Sequence, residues 1–67
     1  MVISSKGRYA LRVMVYLAVN HDGSFIPLKE ISQHEELSQK YLESITRMLS
    51  KAHLIEAASG HGGGYRL

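Results

Sequence analysis

At 67 residues the chain has room for one domain, and a domain of that size buries only about 60% of the surface its unfolded chain exposes, so its stability is modest or shared with a partner. Hydrophobic residues at 45% and charged residues at 21% match a folded domain and not a disordered tail. The lack of cysteine excludes a disulfide framework and thiolate metal ligation, and no apolar run approaches the ~18 residues of a membrane span.

The first predicted element runs from Lys6 to Asn20 after Ser4 and Ser5, and its apolar residues leave almost no polar face. This stretch carries Arg12, ends in Asn20 and lacks a small-residue cleavage site, so it reads as a core helix and the chain as cytoplasmic. A domain this small cannot surround such a helix, and its outer flank is expected to be covered by a second copy or a further segment. Asn20 to Ser24 are turn formers, Phe25 and Ile26 suit a very short strand, and Pro27 starts a second helix over 28–35. Glu35, Glu36 and Leu37 form a turn of about three residues, the connection expected within a helix-turn-helix, with Leu37 plugging the core.

Ser38 suits the N-cap of a third helix running to Ala52. Leu42, Ile45, Met48, Leu49 and Ala52 fall on one arc of it, with Tyr41 at the edge, and are expected in the core. Lys40, Glu43, Ser44, Arg47 and Lys51 collect on the opposite arc, flanked by Gln39 and Ser50. His53 falls where a helix ends in a left-handed residue. Residues 54–58 then read as a strand, 59–64 as a glycine-rich loop and 65–67 as the returning strand. The order is that of a winged helix: mainly α, three helices plus a small β-hairpin, in one domain spanning 1–67.

Net charge is only +2, but it is unevenly placed. Lys6, Arg8 and Arg12 stand without an acid in the first twenty residues, and Lys40, Arg47, Lys51 and Arg66 dominate the second half. Asp22, Glu30, Glu35 and Glu36 crowd the middle, which is expected to face away from any phosphate. An accessible polar helix face after a turn is where readers of the major groove sit. On it Glu43 can accept from a cytosine amine, Arg47 can donate to guanine or phosphate, and Lys40 and Lys51 suit phosphate. The plainer alternative is an i,i+4 pair of Glu43 and Arg47 on a solvated face, worth ~0.3–0.5 kcal/mol. Lys6 and Arg8 are either phosphate contacts or a solvated helix start. The loop glycines either bring backbone amides close to a phosphate or serve only as a flexible turn.

Ser5-Lys6-Gly7-Arg8-Tyr9-Ala10, Ser38 with Tyr41-Leu42-Glu43, and Gly62-Gly63-Gly64-Tyr65 with Leu67 together resemble the Rrf family of bacterial regulators, which includes the iron-sulfur cluster regulator and nitric-oxide-sensing repressors. The resemblance covers the whole chain. It implies a homodimer that binds duplex DNA at two half-sites, usually as a repressor, with Ser38 and Tyr41 positioning the recognition helix and Ser59, His61, Gly62 and Gly63 on the wing. It also implies a long dimerisation helix beyond the wing, packing on the apolar flank of the first helix. In several members cysteines past the wing hold an iron-sulfur cluster; no cofactor is expected in this chain. Three departures stand out. Glu36 occupies a turn position that often carries Asn or a small residue, and His53 replaces a helix-ending glycine. Ser59 stands where members commonly offer an arginine to the minor groove, so an inserted guanidinium is not expected here.

His61-Gly62-Gly63-Gly64 also looks like an esterase oxyanion segment, but the chain has no nucleophile elbow and too little length for a hydrolase sheet. His21, His34, His53 and His61 lie on separate elements without metal-ligand spacing, and surface or capping roles are expected of them. Met14, Tyr16 and Met48 read as packing residues. No enzyme is expected. Two functions remain: DNA binding by a regulator, or a winged module that binds protein.

Overall fold

Ser4 opens the first helix, its hydroxyl accepting from the Gly7 amide at 3.1 Å and so satisfying one of the amides a helix start leaves unpaired. The computed structural model describes residues 4–67; Met1–Ile3, which the sequence assigns to the same domain, lie outside the described residues. The elements are α1 (Ser5–Val19), α2 (Leu28–Glu35), α3 (Gln39–Lys51), β1 (Glu56–Ala58) and β2 (Gly64–Arg66). Among the described residues no helix is long and apolar enough to cross a membrane.

Ala10, Val13 and Leu17 on α1, Ile31 on α2, and Leu42, Ile45 and Leu49 on α3 form one buried cluster with Ile26 and Ile55. Removing each Leu or Ile from water contributes about 1.5–3 kcal/mol. Leu37 packs against this cluster as expected. Two of the residues expected in the core of α3 are not there: Met48 is 40% exposed and Ala52 is exposed. Thr46 takes their place at 0% exposed. Its hydroxyl donates to the Glu43 carbonyl one turn back, so the side chain enters the core without an unpaired polar atom. The buried arc is therefore 42, 45, 46 and 49, rotated away from Met48.

Both departures at helix ends are accommodated by left-handed backbone. Glu36 has φ 56° and His53 φ 60°. At His53 the amide bonds to the Ser50 carbonyl, and Leu54 N–H reaches Leu49 O at 3.0 Å, which closes α3 with both bonds of a Schellman end. That closure claims Leu54 for the helix cap, and Ile55 turns into the core. The first strand consequently begins at Glu56, two residues after the expected start.

β1 and β2 are antiparallel, with Glu56 opposite Arg66, Ala57 opposite Tyr65 and Ala58 opposite Gly64. Ile26 adds a third segment: its amide donates to Tyr65 O at 2.8 Å and its carbonyl accepts from Tyr65 N at 2.9 Å. This bridge explains the glycine before Tyr65. A Cβ at Gly64, whose φ is 150°, would collide with the Ile26 carbonyl.

Candidate nucleic-acid interface

Ser38 fixes where α3 starts. Its hydroxyl accepts from the Tyr41 amide at 3.1 Å, and the Tyr41 ring meets Tyr9 edge-on with centroids 6.0 Å apart. Ser38 and Tyr41 thus orient the helix, and the Tyr9 contact sets the first turn of α1, with exposed Arg8 and half-buried Lys6, beside the start of α3. Lys40, Glu43, Arg47 and Lys51 are exposed along α3; Ser44 is half-buried and donates to the Tyr41 carbonyl at 2.7 Å. The ion pairs among the described residues include neither Glu43 nor Arg47, so the local pair allowed as the plain alternative is not formed. Both side chains are left available on the outer face.

Glu43, Arg47 and Ser50 line a groove of about 460 Å³ whose other wall is Leu28, Ala57 and Tyr65. Recognition helix and hairpin therefore flank one surface. At the hairpin tip Ser59, Gly60, His61 and Gly62 are exposed, while Gly63 is half-buried and donates to the Gly60 carbonyl at 3.1 Å. A side chain at Gly63 would strike the Ala58 carbonyl, which is why the loop carries glycine there. Thus α3 and the hairpin wall a common groove, the wing residues 59–63 sit at the hairpin's tip, and Lys6 and Arg8 lie at the starting end of α3.

A second region, lined by α1 and α2 and sharing no residue with this groove, holds groups that sequence reasoning placed wrongly or passed over. Glu35 ends α2 at the expected boundary, but it was expected among the outward-facing acids and is instead buried. The signal was available: Leu28, Ile31 and Glu35 follow the i, i+3, i+7 spacing of a buried face. Arg12 Nε lies 2.9 Å from Glu35 Oε1, an ion pair without hydrogen-bond alignment, and His34 Nδ1 lies 2.7 Å from Oε2. Arg12 is therefore paired with α2 while its side chain stays 61% exposed, and His34 lies against its neighbouring carboxylate. Tyr16 packs on the His34 ring at 4.2 Å and donates to Glu30 at 2.9 Å. That hydrogen bond, then burial, then the charges of Glu30 and Glu35 push the Tyr16 phenol above its usual value. Beside this polar cluster Leu11, Val15 and Val19 stand 54%, 61% and 78% exposed in a row along α1, over an open hollow of about 350 Å³. Among the described residues no group of three His, Asp or Glu side chains is placed to hold a metal ion.

Three helices and an antiparallel hairpin, with an outward polar face on the third helix, define a winged helix-turn-helix domain. The Rrf2 family model, described as an iron-dependent transcriptional regulator, matches residues 3–67, and the chain belongs to that family. It is 43% identical over 67 residues to the HTH-type transcriptional regulator IscR of Vibrio vulnificus (strain YJ016), covering 100% of this chain and 40% of the relative. Among solved structures it is similar to CymR (YrzC), the global cysteine regulator of B. subtilis, with a TM-score of 0.91 and 42% identity over 100% of this chain and 52% of that one. T. potens IscR superposes with a TM-score of 0.86 at 36% identity, covering 100% and 49%. The chain spans about 40% of the length of the curated relatives it matches.

Proposed function

We propose that this chain is the DNA-reading part of a bacterial transcriptional regulator, with α3 in the major groove of duplex DNA and the wing, its loop at 59–63, on the backbone or minor groove. The observation that carries the reading is the uncommitted polar stripe of α3, Lys40, Glu43, Arg47 and Lys51, flanked across a shared groove by the hairpin. Glu43 and Arg47 address base edges, and Lys6, Arg8, Lys40 and Lys51 address phosphates. Ser38, Tyr41 and Ser44 hold the helix in register. Ser59, His61, Gly62 and Gly63 meet the backbone from the wing. Such a reader works in the cytoplasm, where its DNA is.

The regulator acts as a homodimer whose two recognition helices lie roughly 34 Å apart, one turn of DNA, and it represses by occluding its operator. The exposed row Leu11, Val15 and Val19 supports association, because a contiguous apolar strip on a small domain is otherwise left against water. The iron-sulfur cluster that the family resemblance allows finds no thiolate among these residues, and no step of the reading passes through one.

A fluorescence titration of labelled duplexes at two salt concentrations tests the reading. Log affinity is expected to fall with log salt by about 0.9 per neutralised phosphate, and Lys40→Ala to weaken binding on every sequence. Absent or salt-insensitive binding by the folded full chain would sink it and favour a protein-binding module.

A further inference from the structure

Arg66 is the only lysine or arginine after Lys51, and it lies on the wing of a domain read as gripping a polyanion. A phosphate contact is the obvious role for it. The structure gives its guanidinium other work. Nε donates to Glu56 Oε2 at 2.9 Å across the ladder, and a second nitrogen donates to the Gly23 carbonyl. The guanidinium carbon lies 4.3 Å from the centroid of the Phe25 ring. Only 33% of the Arg66 side chain is exposed.

Those partners come from two parts of the chain. Glu56 belongs to the hairpin, opposite Arg66 in register, whereas Gly23 and Phe25 belong to the loop between α1 and α2. The same loop supplies Ile26, paired with Tyr65. A two-stranded ribbon of three residues a side is marginal alone; tied to the loop, it becomes a patch with a fixed direction relative to α3. Fixed direction matters more here than on a wing tipped with arginine. A long cation at the tip can search for its phosphate, but the short side chains and backbone amides of 59–63 reach only what the hairpin brings them to.

We infer that Arg66 positions the wing for DNA by clamping the hairpin to the α1–α2 loop, and does not itself neutralise phosphate. The inference rests on the DNA-binding reading above. It differs from the phosphate role in the sign of a second substitution. If Arg66 is a clamp, Glu56→Gln loosens it and weakens binding. If Arg66 neutralises phosphate, the same substitution removes an acid, releases the arginine and strengthens binding.

The test uses the full chain with a labelled duplex selected from a random-sequence pool, and with the same duplex shortened to remove the base pairs flanking the part α3 covers. R66Q and E56Q are each expected to weaken affinity for the long duplex by about three- to tenfold, the cost of ordering a few freed side chains. Binding to the short duplex should not change, and the double variant should be no weaker than the weaker single variant, because both remove one contact. Stronger binding by E56Q, unchanged binding by R66Q, or equal losses on both duplexes would overturn the inference. Failure of the unsubstituted chain to bind either duplex would overturn the DNA reading and this inference with it.

Discussion

Helices α1 and α3 are of similar length and bury one arc each in the same core, but their outer sides differ. α3 turns Lys40, Glu43, Arg47 and Lys51 to solvent, whereas α1 turns out Leu11, Val15 and Val19. An amphipathic helix whose free face is polar is complete once its inner face is packed. A helix that is apolar on both sides is not. The two therefore divide the work of the domain: α3 offers hydrogen bonds and charge to a polar partner, and α1 offers a surface whose only favourable neighbour is another apolar surface.

Substitutions on the two arcs sharpen this contrast. The largest effect is expected at Leu42, which is fully buried: Leu42→Ala should cost ~2–5 kcal/mol of stability in urea denaturation. Val15→Ala, on the outer side of α1, should stay within about 0.5 kcal/mol for the dissociated domain and instead weaken self-association measured by sedimentation. Comparable losses of folding stability at both positions would mean that α1 is packed on all sides and the contrast is false. Next comes Arg47→Ala, which should cost ~1–3 kcal/mol in binding a selected duplex while leaving the denaturation midpoint unchanged. Unaltered affinity would remove Arg47 from the reading face.

The smallest effect belongs to the α1–α2 loop. The Ser24 hydroxyl and amide both donate to Asp22, and they hold its carboxyl below the usual carboxylate range. Because the folded chain then binds this proton less readily than the unfolded one, the contribution is present above the unfolded value and fades as pH falls through the folded one. Ser24→Ala should raise the Asp22 titration midpoint followed by NMR and flatten the acid limb of the stability profile. A midpoint unmoved by the substitution would assign the depression to another cause.

Much of this architecture was legible from local chemistry. Ser38 announces its helix because a hydroxyl there satisfies an orphan amide, Pro27 marks the entry to α2, and His53 sits where the chain must turn left-handed. The polar arc of α3 follows from spacing alone. Thr46 was not legible, because whether a hydroxyl can be buried depends on the carbonyl it finds, here that of Glu43. Glu35 was misplaced for a related reason: a carboxylate occupies an apolar slot only when a cation from another helix reaches it, and Arg12 is 23 positions away in sequence. The pair Glu56 and Arg66 was not legible either: a loop of 59–64 sets Arg66 opposite Ala57, and only the strand that begins one residue earlier, at Gly64, brings it opposite Glu56; the Gly23 carbonyl that completes the clamp lies outside the hairpin altogether.

The sequence by itself determined the order of the elements, their caps and which side of α3 is polar, because periodicity, capping and turn chemistry act within a few residues. Only the tertiary structure decided which charges remain free. Arg47 and Lys40 have no ion-pair partner among the described residues and Arg12, although paired with Glu35, keeps most of its side chain exposed, whereas Arg66 is held by Glu56 and the Gly23 carbonyl. Formal charge is a property of a residue, but its availability to a partner is a property of what folds against it.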